Sequence, residues 1–267
     1  MNILVKQLTL DLHPYVIGFF RCLFGIVVLL PLLVPRGALT QLKTKRLRLH
    51  VLRAALHLIT MLSAFFAIGL TPVAKVVAIK FGGPLFASIL AILWLRERIH
   101  SRRAVALLVG FAGMLVIIQP GSVELEPGVV YAIGSAACWA FMAICIKLLS
   151  RTETSIAMTF YLSILTTPMA FLLALNHWQY PTWEQLILLM GMGFLGSFSH
   201  LCIAEAYKSA DVTVLTPFDF FKLIWVAFLG FLIFDEIPTL WTWVGGAMIF
   251  SATVYIAYRE RQLRQQA

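Results

Sequence analysis

Nine apolar runs, at residues 14–34, 51–70, 73–95, 104–118, 128–149, 156–175, 185–206, 212–234 and 240–258, constrain this chain more than any other feature. Each is long enough to cross a bilayer as a helix, 104–118 being the shortest. None shows the strict alternation over about ten residues that marks a barrel strand. The predicted fold class is therefore an all-α polytopic membrane protein. Composition agrees: 61% of the 267 residues are hydrophobic and 12% are charged, against about 45–50% and about 25% in soluble domains. A water-soluble fold, a disordered chain and a disulfide scaffold are excluded on the same ground.

The net charge of +9 does not point to nucleic acid, because its placement follows the loops. Arg36 to Arg48, Arg96 to Arg103, Arg151, Lys208 and Arg259 to Arg264 all fall on one side if the runs alternate direction. The opposite loops hold Glu124, Glu126, Glu184, Asp235 and Glu236 and no Lys or Arg. The positive-inside rule then places the C-terminus in the cytoplasm. Trp178, Tyr180, Trp183, Trp241 and Trp243 fit an aromatic belt on the outer face. The cysteines Cys22, Cys138, Cys145 and Cys202 lie inside apolar runs and read as small packing residues.

The chain also repeats itself. An offset of 139 residues superposes 73–95 on 212–234 and 104–118 on 240–258, and carries Glu97 onto Glu236. The loop at Arg96–Arg103 is basic while its counterpart at 235–239 is acidic, so the halves have opposite orientation. Inverted repeats are a common transporter architecture. The second half has five helices beginning at 128–149; the first shows four, preceded by the fragment 1–6, which resembles the end of the sixth helix. Ten residues at ~1.5 Å each cannot cross about 30 Å of hydrocarbon. The expectation is nine full spans plus an N-terminal stub, either because an apolar run is missing upstream or because the chain works without a full first helix. The predicted division is a first repeat at 1–120, a second at 127–260 and a cytoplasmic tail at 261–267.

With the repeat in place, the stretch TPVAKVVAIKFGGPLFASILAILWLRERIHSRR, followed by VGFAGMLVIIQPG, resembles the first-repeat signature of the EamA branch of the drug/metabolite transporter superfamily. The stretch ADVTVLTPFDFFKLIWVAFLGFLIFDEIPTLWTWVGGAMIF is similar to its second-repeat signature. The resemblance implies ten helices in two inverted five-helix repeats, a central cavity and alternating-access transport of small metabolites. The departure is the first helix, which in the family lines that cavity.

Ionisable residues at bilayer depth are functional-site candidates. Lys80 and Asp219 are equivalent under the offset, each seven residues into its run. They either grip the carboxylate and amine of a zwitterion or form an ion pair that sets helix register. Lys222, three residues from Asp219, is a competing local partner. Pro84 and Pro217 interrupt the same two runs, and Gly82-Gly83 adds to the first interruption. Arg21 binds an anionic group or pairs with Glu205 or Asp219. Glu205 forms an i,i+3 pair with Lys208 or serves as a proton-coupling carboxylate. Trp139 and Trp225, mid-run, either stack on a flat or cationic substrate or face packing and lipid; the resemblance favours Trp139. Gly110 to Gly113 and Gly245-Gly246 read as close helix packing, and Glu97 and Glu236 as structural helix ends.

The histidines His13, His50, His57, His100, His177 and His200 are scattered, with no metal-ligand spacing. Nothing resembles a nucleotide loop or a catalytic triad, so no catalytic residue, metal or cofactor is expected. The predicted function is a secondary transporter of a small polar or zwitterionic metabolite, amino-acid-like or S-adenosylmethionine-like, in a bacterial inner membrane. Its partners would be the substrate, the bilayer and a coupling proton or other ion; a homodimer is compatible with such a chain. The alternatives are a non-transporting structural or regulatory subunit and a membrane-embedded lipid-modifying enzyme.

Overall fold

A computed structural model describes residues 1–33, 42, 44–83, 85–87, 89–90, 101–120, 126–209 and 212–266, with the side chains of 101–103, 207–209, 212–221, 257, 259–261 and 263–266 left out. The helices are α1 (Asn2–Leu8), α2 (Pro14–Leu33), α3 (Leu47–Leu70), α4 (Val73–Lys80), α5 (Ser101–Ile118), α6 (Pro127–Leu149), α7 (Ser155–Ala174), α8 (Trp183–Ser209), α9 (Val212–Phe234) and α10 (Leu240–Gln266). No strand occurs among the described residues.

Five helices are long and apolar enough to cross a membrane: Pro14–Pro31, Leu47–Leu70, Pro127–Ser150, Ser155–His177 and Trp183–Ala206. Shorter apolar helices run over Ala104–Ile118, Lys222–Phe234 and Leu240–Ile256. Only 28% to 61% of each long span is buried inside the protein, so most of the apolar surface has only lipid to face. That is the pattern of a multi-pass membrane protein.

Several threonines inside these helices are satisfied locally, as a medium without water favours. Thr60, Thr159, Thr167 and Thr253 each donate to the carbonyl four residues back, at 2.7, 2.9, 2.7 and 2.8 Å. Helix starts are capped by side chains. Thr154 accepts from Ala157 N at 3.1 Å before α7. A reciprocal pair opens α8, in which Gln185 N donates to Thr182 Oγ1 at 3.3 Å and Thr182 N donates to Gln185 Oε1 at 2.9 Å.

The helices gather into two units. The first comprises Met1–Gly69 and Met142–Ser209, the second Leu70–Phe141 and Ala210–Ala267. In the first, α2 packs on α7 and α8, and α1 on α8; Val16, Ile17, Phe65, Met158 and Met192 are fully or almost fully buried. In the second, α5 and α10 make the most extensive helix pair, with α9 against α4 and α10. Their close approach rests on glycine: a Cβ on Gly113 would lie 2.8 Å from the Gly245 carbonyl oxygen, and one on Gly245 would collide with the Gly113 carbonyl. The small-residue stretches thus act as expected. Each unit takes helices from both sequence halves, so the partition by contact differs from the linear division at 120 and 127.

Candidate functional site

In the second unit α4 stops after eight residues. Phe81 N bonds both Val77 O (3.3 Å) and Ala78 O (3.2 Å), Gly82 N bonds Ile79 O (2.9 Å), and Leu85 N and Phe86 N both reach Gly82 O at 2.9 and 3.1 Å. The α ladder tightens to i→i+3 and restarts. The cause lies in the sequence: two glycines lower helix propensity, and Pro84, itself outside the described residues, brings no N–H. Trp139 of α6 packs against the gap; a Cβ on Gly83 would sit 2.8 Å from Trp139 Cε3. Lys80, half-buried, is the last residue of α4, so Lys80, the glycine pair and Trp139 belong to one locality. Lys222 is exposed. Position 217 lies inside the assigned span of α9, and the side chains of Pro217 and Asp219 lie outside the described ones.

Two further polar contacts frame α4. Val73 N donates to Glu236 Oε2 at 2.7 Å, a carboxylate on the helix's first turn where the macrodipole favours negative charge. Lys75 Nζ meets Glu126 Oε1 at 3.1 Å. Glu236 is thus a structural residue, as expected; Glu97 lies outside the described residues.

The first unit holds a buried polar cluster. Arg21, 6% exposed, extends from α2 toward α3 and α8. Its Nη1 lies 3.4 Å from His57 Nε2 and donates to Met61 Sδ at 3.1 Å; its Nη2 lies 3.4 Å from His200 Nε2. The two imidazoles meet edge to face, 4.9 Å between centroids. Helical spacing explains the convergence: His57 and Met61 are i,i+4 on α3, and Gly196 and His200 are i,i+4 on α8. Gly196 leaves room for the guanidinium: a Cβ there would lie 2.9 Å from Arg21 Nη2. Glu205 accepts from Ser155 Oγ at 2.7 Å and is not bonded to Arg21. Arg53, 2% exposed, donates from Nη1 to Met158 O at 2.8 Å.

At one end of the same unit His13 stacks on His177, with centroids 4.1 Å apart and planes 5° from parallel, and Tyr15 and Phe66 close around them. Burial, and then the neighbouring His177, hold the His13 pKa below its ordinary value. Elsewhere Glu153 accepts from Thr44 Oγ1 at 2.8 Å and lies 3.9 Å from His50 Nε2.

Of the residues singled out in the sequence, Lys80 and Trp139 fall in the second unit together with the positions of Asp219 and Lys222, while Arg21 and Glu205 fall in the first. Trp225 is 61% exposed, edge-on to Phe228, and reads as lipid-facing. Sequence reasoning missed the gathering of His57 and His200 at Arg21, and the burial of Arg53. The i,i+4 spacing of Arg53 and His57 was a usable signal for one polar face on α3; which helix that face meets was not. Among the described residues no group of His, Cys, Asp and Glu is placed to hold a metal.

Comparison with known proteins agrees with this architecture. The EamA-like transporter family matches residues 1–119 and 126–258. An S-adenosylmethionine uptake transporter of Rickettsia bellii is 33% identical over 261 residues, 98% of this chain and 89% of that protein. A riboflavin transporter of Vibrio cholerae is 34% identical over 238 residues, 88% of this chain and 80% of that one. A solved crystal structure with 17% sequence identity superposes with a TM-score of 0.68 over 98% of this chain and 96% of its own, a likeness of fold alone.

Proposed function

Because the chain belongs to the EamA-like transporter family, and is therefore a small-metabolite transporter rather than an enzyme, we propose that it moves an S-adenosylmethionine-like zwitterion across a bacterial inner membrane. The observation that carries this reading is the α4 break at Gly82-Gly83, with Lys80 at its edge and Trp139 on it. A broken helix frees backbone groups in a transporter's cavity. Lys80 offers a cation for a carboxylate, and the indole face suits a sulfonium or a flat base. Asp219, the repeat-equivalent of Lys80, takes the ammonium group, with Lys222 as its neighbour and Pro84 and Pro217 shaping the two helices. The S-adenosylmethionine transporters named among the relatives support the substrate class.

The proposed architecture is nine full spans and a stub, in two inverted repeats at 1–120 and 127–260 that rock against each other, with the tail 261–267 in the cytoplasm. Transport is secondary, driven by an ion or by the substrate's own gradient. Glu205 is the carboxylate proposed for proton coupling.

Uptake of labelled S-adenosylmethionine into proteoliposomes tests the reading. The expected result is saturable flux, competed by unlabelled S-adenosylmethionine and weakly by S-adenosylhomocysteine, which lacks the sulfonium charge. Trp139→Ala is expected to raise the half-saturating concentration about tenfold, the value of a desolvated cation–π contact. Normal uptake in both Lys80→Ala and Asp219→Ala would overturn substrate contact by that pair. An unchanged pH profile in Glu205→Gln removes Glu205 from coupling. Riboflavin is the second reading, favoured by the Vibrio cholerae relative; flux of labelled riboflavin without S-adenosylmethionine flux would establish it.

A further inference from the structure

Independently of what the chain transports, we propose that Arg21, His57, His200 and Thr166 form a binding site for a small monoanion inside the first unit. They line a small cavity with room for a group little larger than a water molecule, bounded also by Ser163 and Ser197. Arg21 is 6% exposed and has no carboxylate partner among the described residues; its contacts are two imidazole nitrogens, a thioether sulfur and the neighbouring Cys22 thiol. An always-charged guanidinium taken out of water is costly unless a counter-charge meets it, and none of these partners is an anion.

A second observation points the same way. Arg21 Nε and Thr166 Oγ1 are both buried without a hydrogen-bond partner, and both residues line this cavity. Thr166 is 0% exposed, and its hydroxyl is not turned back to the helix carbonyl as those of Thr159 and Thr167 are. Buried polar atoms are almost always paired. The unpaired Nε–H of the guanidinium and the orphan hydroxyl make a donor lining, while both imidazoles turn Nε2 toward the guanidinium and accept from it. A carboxylate or a halide satisfies such a lining; a cation or a neutral sugar does not. The site shares no residue with Lys80, Trp139 or Asp219.

The common chemistry is a compact single negative charge, supplied either by the carboxylate end of a metabolite or by an inorganic ion such as chloride. The test follows melting of the purified full chain in detergent by tryptophan fluorescence. Sodium formate or sodium chloride is titrated at constant ionic strength against the bulky sodium salt of HEPES. The expected result is a saturable rise in melting temperature. Arg21→Lys should shift half-saturation at least tenfold, and Thr166→Val, which keeps shape and loses the hydroxyl, several-fold. Arg21→Gln should abolish the response; should that variant fail to fold, the Lys and Val variants decide. Response to formate without chloride assigns the site to a carboxylate; response to chloride and bromide assigns it to an inorganic ion. No saturable rise with either anion in the wild type, or unchanged half-saturation in both Arg21→Lys and Thr166→Val, overturns the proposal. No transport is measured, so its failure leaves the substrate reading standing.

Discussion

A charged side chain on an apolar helix survives by reaching the interface, by pairing, or by facing a polar cavity, and this chain shows the last two. Lys75 pairs with Glu126 at 3.1 Å, and Arg21 lines a cavity. These fates predict different costs. The Lys75–Glu126 pair is partly open to solvent, with side-chain exposures of 18% and 34%, so Lys75→Met should change thermal stability by less than about 1 kcal/mol. Gly193→Ala should cost about 1–3 kcal/mol, because a Cβ there would lie 2.9 Å from the Gly25 backbone nitrogen, which cannot swing away, read as a drop in melting temperature. His13 gives a pH dependence. Its pKa is lowered in the folded state, so the unfolded chain binds the proton more readily and stability rises with pH. The contribution is whole above about 6.5, the ordinary histidine value, and is lost as pH falls from there through the lowered value. A melting-temperature series from pH 8 to pH 5 should show this decline, flattened in His13→Gln.

Elements carry the next set of consequences, because helix ends and helix contacts here depend on single residues. Glu236 receives Val73 N at the start of α4, and Glu236→Ala should destabilise by about 1 kcal/mol, as loss of a cap does. Gly83 and Gly134 make a matched pair within the second unit. A Cβ on Gly83 would press Trp139 at 2.8 Å, whereas one on Gly134 meets nothing within 4 Å. Gly83→Ala is therefore expected to lower uptake severalfold and Gly134→Ala to leave it unchanged; equal uptake in both variants would show that the Trp139 contact has no bearing on transport. The apolar runs forecast the helices well at their lipid-facing middles and poorly at their ends. α3 starts at Leu47 rather than 51 and α10 continues to Gln266 rather than 258. The additions are Arg- and Gln-bearing turns, which hydropathy does not count but whose backbone still completes the i→i−4 ladder.

For the whole molecule the sequence carried more than is usual, because lipid as solvent leaves few options. Helices, a multi-pass membrane protein and its family followed from apolar run lengths and from the motifs around Gly82-Gly83 and Gly245-Gly246. The proposed orientation makes a prediction at this scale: fused to the C-terminus, green fluorescent protein should fluoresce and alkaline phosphatase should stay inactive. The candidate sites were legible only in part. Lys80, Arg21 and Trp139 stood out because charge and indole at mid-run are rare. His57, His200 and Thr166 did not, because an isolated histidine or threonine in an apolar run has no partner visible along the chain. Residue type and spacing along one helix are local properties, fixed by a 3.6-residue period and by the solvent, and these the sequence determined by itself. Which three helices converge on Arg21, and that Gly196 leaves room for its guanidinium, depends on packing between segments about 35 to 180 residues apart, and that only the tertiary structure decided.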